Sequence, residues 1–284
     1  MGGRANRSAL SLRARNGIRG GRMIEKVREW LENQGFPLEM RAAAVFRSEG
    51  FDVRQSSHYT DPETGKAREI DVLAIDPDPV GVVGIAFVVE CKSTKKPWIL
   101  LSSEHVLDGY SRSMAFARTS QQGHEALVRK IDVLVEKVPW LTKSGLLGYA
   151  LKQALSETDT AYAASIGLAK ATADWVSGRS GRNYVVGFAF PVLVVDSPIC
   201  VCYLDEHDNL RLEQTRRGEF LFSTDPPKNF GTCIRVVHID ELPAFAKEAR
   251  RVAQTLRSEL KDLEDRIMGE ISGPKRTQRR SSWV

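Results

Sequence analysis

Residues 67–92 read AREIDVLAIDPDPVGVVGIAFVVECK. Two apolar runs are separated by Asp76-Pro77-Asp78-Pro79, a turn-forming stretch. In the first run, alternation predicts a strand with Asp71, Leu73 and Ile75 on one face and Ile70, Val72 and Ala74 on the other. Asp71 therefore shares a face with core residues. The second run is rich in β-branched residues, dotted with glycine and short for a helix interior, which predicts a central strand buried on both faces. It ends abruptly in charge. Val88, Glu90 and Lys92 fall on one face, and Cys91 points away.

Upstream, FDVRQSSHYT (51–60) and AREIDVLAID (67–76) flank DPETGK, whose Asp61-Pro62 and Thr64-Gly65-Lys66 are hairpin chemistry. Before them LEMRAAAVFRSEG predicts a helix with Pro37 in its first turn and Gly50 at its C-terminus. Leu38, Ala42 and Val45 form its apolar stripe, widened by Ala43 and Phe46, and Glu39 stands at the margin. A separate helix is expected from Met23 to about Asn33, on the spacing of Ile24, Val27 and Leu31. Downstream, residues 102–176 read as three or four helices, about 103–118, 121–137, 142–155 and 157–176. Strand character returns over 183–206, in LRLEQT and in CIRVVHI. A long helix from Asp240 to about Met268 closes the chain's folded part.

Three carboxylates and a lysine thus stand where packing alone would not place them. Buried carboxylates cost several kcal/mol unless paired or metal-bound. Asp71 and Glu90 are the expected ligands of a divalent cation, Mg²⁺ or alternatively Mn²⁺, with Glu39 as a further or water-mediated ligand. Lys92 beside them would orient or help deprotonate an attacking water and stabilise charge on a phosphate. The bland alternative makes Glu90 and Lys92 a salt bridge at a strand end and Asp71 a turn cap, while Glu39 merely favours a helix dipole.

The order of helix with Glu39, hairpin, "REIDVLA" with Asp71, "VVECKS" with Glu90 and Lys92, then helix and strand resembles the PD-(D/E)xK nucleases, with Ile70 where the Pro of that motif would stand. The resemblance covers residues 35–100 best and extends less closely over 183–270. It implies an α/β, restriction-endonuclease-like αβββαβ core with a mixed sheet, here with an inserted helical segment and a long C-terminal helix. It also implies a metal-dependent nuclease hydrolysing phosphodiester bonds, in DNA by preference. Roles in that family range over restriction, repair, recombination and defence against foreign DNA, with defence favoured slightly. The second reading is a catalytically inactive nuclease-like module that binds DNA or protein through 102–176 and the closing helix. Cutting both strands of a duplex calls for two sites, so a homodimer is the natural assembly for a duplex substrate.

Charge gives a different message at the ends and in the middle. The chain of 284 residues carries +5 overall. Residues 1–22 hold six Arg and no acid, and Lys275, Arg276, Arg279 and Arg280 crowd the other end. Without those ten cations, 31 basic residues face 36 acidic ones. Two disordered basic tails, 1–22 and 271–284, are therefore expected around one domain spanning 23–270 with its insertion at about 102–176. The tails would add salt-sensitive affinity for nucleic acid. The first also resembles an organelle transit peptide, although a start at Met23 explains it as well.

Four Cys without CxxC spacing argue against a zinc ribbon or a disulfide scaffold and favour a reducing, cytoplasmic setting. No apolar run is long enough to span a membrane. Cys200 and Cys202 are expected to be packed thiols rather than metal ligands. The pair His58-Tyr59 reads best as surface, and Lys95-Lys96-Pro97-Trp98 either touches nucleic acid or forms a solvated loop with Trp98 tucked into the core.

Overall fold

The computed structural model describes residues 22–107, 115–142, 146–178, 184–223 and 231–272. The expected tails lie outside the described residues except at their inner edges, where α1 spans 22–33 and α7 (Lys261–Ser272) runs through 271–272. The alternation in 67–92 becomes β2 (Ala67–Ile75) and β3 (Val83–Lys92). On β2 it holds from Val72 to Ile75, but Ile70 packs with Leu73 and Ile75 instead of with Val72 and Ala74, because the strand is irregular at Asp71. β3 is buried from Val83 to Val89 because both of its faces are covered. Ile85, Phe87, Val89 and Cys91 join one core, and Ala86 and Val88 the other.

β1 (Asp52–Thr60) pairs antiparallel with β2, and β2 with β3. β7 (Val186–Val195) runs parallel to β3 along its whole length, from Val83 opposite Val186 to Lys92 opposite Val195. Parallel neighbours require a crossover. Here the chain returns to β7 through α5 (Thr160–Val176), whose Ala161, Ala164, Leu168 and Trp175 cover one face of the sheet. The other face is covered by α2 (Phe36–Ser48), α3 (Gln121–Arg129), α4 (Ile131–Lys137) and α6 (Leu242–Glu259). Among the described residues this makes a three-layer α/β/α arrangement. Phe87 lies at its centre, with Phe46, Phe51, Trp140 and Phe190 at ring-centroid distances of 6.0, 5.3, 5.8 and 5.3 Å.

The remaining strands are β4 (Trp98–Ser103), β5 (Arg118–Thr119), β6 (Leu147–Gln153), β8 (Ile199–Leu204), β9 (Leu210–Thr215), β10 (Arg217–Phe222) and β11 (Thr232–His238). They extend the mixed sheet to 11 strands in the order β1-β2-β3-β7-β11-β10-β6-β4-β8-β9, with β5 pairing to β7.

Residues 102–176 differ from the expected helical insertion. Among the described residues of that segment the helices longer than one turn are α3, α4 and α5; β5 and β6 are strands, 103–107 continue from β4 into a turn, and the middle of the helix expected at 103–118 lies outside the described residues. Leu147 and Leu151 are four apart, a helical spacing, yet β6 lies against β4 and β10. Gly148 permits that approach, since a Cβ there would stand 2.7 Å from the Phe220 side chain. The expected helix over 121–137 is broken at Lys130 between α3 and α4. The closing helix is likewise two helices, α6 and α7, parting at Leu260. One contact joins these breaks: the Lys130 ammonium donates to the Glu259 carbonyl, capping the end of α6. No helix among the described residues is long and apolar enough to cross a membrane.

Candidate functional site

Glu39, Asp71, Glu90 and Lys92 are brought together at one end of the sheet by α2, β2 and β3. Gly35 seats the start of α2 against the segment leaving β3. It has a φ of 83°, and a Cβ there would stand 3.6 Å from the Ser93 side chain. Glu39, in the first turn, is thereby carried toward Asp71, Glu90 and Lys92, whose charges all act on it.

The ladders around β2 open at Asp71. Gln55 pairs with Val72 and Ser57 with Ile70, so Ser56 falls opposite Asp71. Ser56 has a φ of 51°, a left-handed conformation uncommon outside glycine. On the other side, the β2–β3 register reaches only to Val72 opposite Val89. Asp71 uses the opening: its Oδ2 accepts the Cys91 N–H at 2.7 Å. The carboxylate thus caps the backbone of β3 rather than a turn.

Lys92 Nζ donates to Glu90 Oε1 at 2.5 Å, with the Glu90 side chain 20% and the Lys92 side chain 32% exposed. The salt bridge of the bland reading is present, and it lies inside a cluster of further acids. Burial, assisted by Asp71 and Glu69 and opposed by Lys92, raises the proton affinity of Glu90. Burial likewise raises Asp71, against the Cys91 N–H and Lys92, with Glu69 adding to the rise. Glu39 is pushed up to about 7 by burial and by Asp71, Glu69 and Glu90, against Lys92. Burial works against the Lys92 ammonium, but Glu90 and Asp71 outweigh it and hold its pKa above the usual lysine value. The group is a cation near neutral pH, suited to stabilising negative charge rather than accepting a proton.

Glu69 belongs to this cluster and was not singled out from the sequence. Its signal was available, since Glu69 and Asp71 are two apart on one strand. Cys91, as expected, turns into the core, where burial and the surrounding carboxylates hold its thiol protonated. Trp98 is fully buried in the core, while Lys95 and Lys96 are exposed. His58 is exposed and its neighbour Tyr59 is buried. Cys200 and Cys202 are half-buried free thiols on β8, less enclosed than expected.

The donors fit a hard cation. Among the described residues, no group of three or more His, Cys, Asp or Glu is arranged to hold a metal. What is assembled is a pair of half-buried carboxylates with a third nearby, each with its proton affinity raised. Mg²⁺ commonly uses one or two carboxylates and completes its shell with water and phosphate oxygens. Compared with protein-family models, with curated proteins and with solved structures, the chain matches none.

Proposed function

We propose that this chain is a divalent-metal-dependent nuclease that hydrolyses phosphodiester bonds in DNA. The observation that carries the reading is the convergence of Asp71, Glu90 and Glu39 on a single ammonium, Lys92, where the β2 ladders open. That much uncompensated carboxylate charge is unfavourable for folding and is offset by a bound cation and a phosphate. The helix–three-strand–crossover–strand order from α2 to β7 supports the same reading, since it follows the αβββαβ order of the PD-(D/E)xK nucleases. In this chain the order is interrupted by β4–β6, α3 and α4.

Asp71 and Glu90 would hold Mg²⁺ or Mn²⁺, and Glu39 would act from α2 directly or through water. When bound, the ion supplies charge neutralisation for the phosphate and lowers the pKa of water. Asp71 also fixes the backbone of β3 at Cys91, which keeps Glu90 and Lys92 in register beside it. Glu90 holds the Lys92 ammonium in place, and that ammonium stabilises charge developing on the phosphate.

The Glu90–Lys92 ion pair also favours a second reading, an inactive nuclease-like module that binds DNA or protein, because it neutralises Glu90 without a metal. A cleavage panel on single-stranded, double-stranded and structured DNA and RNA with Mg²⁺ or Mn²⁺ separates the two. The nuclease reading requires cleavage that Asp71→Ala and Glu90→Ala each abolish while folding is retained. A folded wild-type protein inert on every substrate supports the binding module.

A further inference from the structure

A cavity of about 410 Å³ opens beside Glu90, between the β1–β2 hairpin and α5. Glu90 and Val88 form the wall nearest the proposed site, Tyr59 and Ile70 the hairpin side, and Gly167 and Lys170 the helix side. Its walls are mixed: Tyr59, Ile70 and Val88 are apolar, and Asp61, Arg68, Glu69, Glu90 and Lys170 are charged. Its size is within the range of small-molecule sites.

Gly167 is the informative position. It stands inside the 17-residue helix α5, where glycine is about 1 kcal/mol less favourable than alanine. Packing gives no reason for it, because a Cβ at Gly167 would meet nothing within 4 Å. This contrasts with Gly148, where a Cβ would collide with a neighbouring strand. A glycine that the protein's own packing does not require leaves the cavity open along the helix, as close approach of a ligand to the backbone demands.

Resting on the nuclease reading, we propose that this cavity receives the nucleoside next to the cleaved phosphate. The base enters from a strand that is single or locally unpaired, with Tyr59, Ile70 and the Gly167 backbone around it. The adjoining phosphate is left beside Glu90 and Lys92. A base held in a stack inside a duplex is not free to enter. The substrate class is therefore a single strand or an unpaired position in DNA.

The test fills the cavity without touching Asp71, Glu90 or Lys92. Gly167→Phe projects a ring into open space and improves helix propensity, and a denaturation curve checks that it folds. Binding is read by anisotropy of a labelled single strand in Ca²⁺, separately from cleavage in Mg²⁺. Wild type should bind and cut the single strand at least tenfold better than the fully paired duplex. Gly167→Phe should weaken single-strand binding by about tenfold or more, the effect of losing one base contact. On a strand with abasic sugars the two proteins should bind within about twofold of each other, because no base remains to be excluded. Equal binding of the ordinary strand by folded Gly167→Phe and wild type, or equal handling of single strand and duplex by wild type, overturns the pocket assignment. Wild type that binds with this pattern and never cuts removes the nuclease reading and leaves the pocket standing. Wild type that binds no strand removes both.

Discussion

Replacing Glu39 with Gln should stabilise the metal-free protein at pH 8 and leave it unchanged at pH 4.5 or below. In the folded chain this carboxyl is pushed from its ordinary 4.5 up to about 7, by burial first and then by Asp71, Glu69 and Glu90. Between those values the folded state holds a proton that the unfolded state has released. Stability therefore falls as pH rises through the window, and the penalty is complete above pH 7. At about 1.4 kcal/mol per pH unit the full displacement corresponds to about 3.4 kcal/mol. The half-exposed carboxylate is screened by solvent, which reduces this to on the order of 1–2 kcal/mol.

The assay is urea unfolding of wild type and Glu39→Gln in EDTA across pH 4.5 to 8, with the difference in unfolding free energy plotted against pH. It should be near zero at the acid end and grow to about 1–2 kcal/mol in favour of the variant at pH 8. Adding Mg²⁺ at pH 8 should then stabilise wild type by mass action, and the variant less, if Glu39 contributes to holding the ion. A destabilised Glu39→Gln at pH 8, or a difference independent of pH, would refute the crowded-carboxylate account of this position.

Asp76 ends β2, is 3% exposed, contacts Arg250, and accepts from Arg257 Nη2 at 2.5 Å and Nε at 2.8 Å. Asp76→Ala should lower the unfolding free energy by about 3 kcal/mol, because Arg250 loses this buried partner and Arg257 is left with Asp78; loss of less than about 1 kcal/mol would mean that solvent replaces it. Ser56, left-handed opposite Asp71, should tolerate Gly, whereas Ser56→Val should cost on the order of 1–3 kcal/mol in chemical denaturation. A neutral Ser56→Val would show that the backbone relaxes freely there.

The region from Glu39 to Lys92 was legible because its signals are local. Period-two alternation gives the faces of β3 and of β2 from Val72 onward but misplaces Ile70, Pro37 and Gly50 bracket α2, and a charged ending on an apolar strand stands out within a few residues. What escaped depends on distant partners. Leu147 and Leu151 carry a helical spacing, and the segment becomes a strand because it pairs with β4 on one side and approaches Phe220 at Gly148 on the other. Trp98 begins a strand because Ile199 and Gln153 flank it from far along the chain. The break of the closing helix at Leu260 coincides with a cap from Lys130, at the junction of α3 and α4. Within the site, Asp71 was singled out as a charge on an apolar strand, but the strand's alternation breaks at that residue, and its grip on the Cys91 N–H arises from the open ladder around it, which no spacing encodes. The exposed stripe of α1, with Ile24 61% and Val27 47% exposed, shows the reverse case: a helix correctly expected whose apolar face does not enter the core.

The most direct measurement is Mg²⁺-dependent cleavage of labelled single-stranded and duplex DNA by wild type and Lys92→Ala, with folding of both verified by circular dichroism. Among the described residues Lys92 is the ammonium set among Glu39, Asp71 and Glu90, so its removal should lower the cleavage rate by about 100-fold or more, while EDTA abolishes the wild-type reaction. Lys92→Ala cutting as fast as wild type, or a folded wild type that cuts neither substrate, would contradict the account.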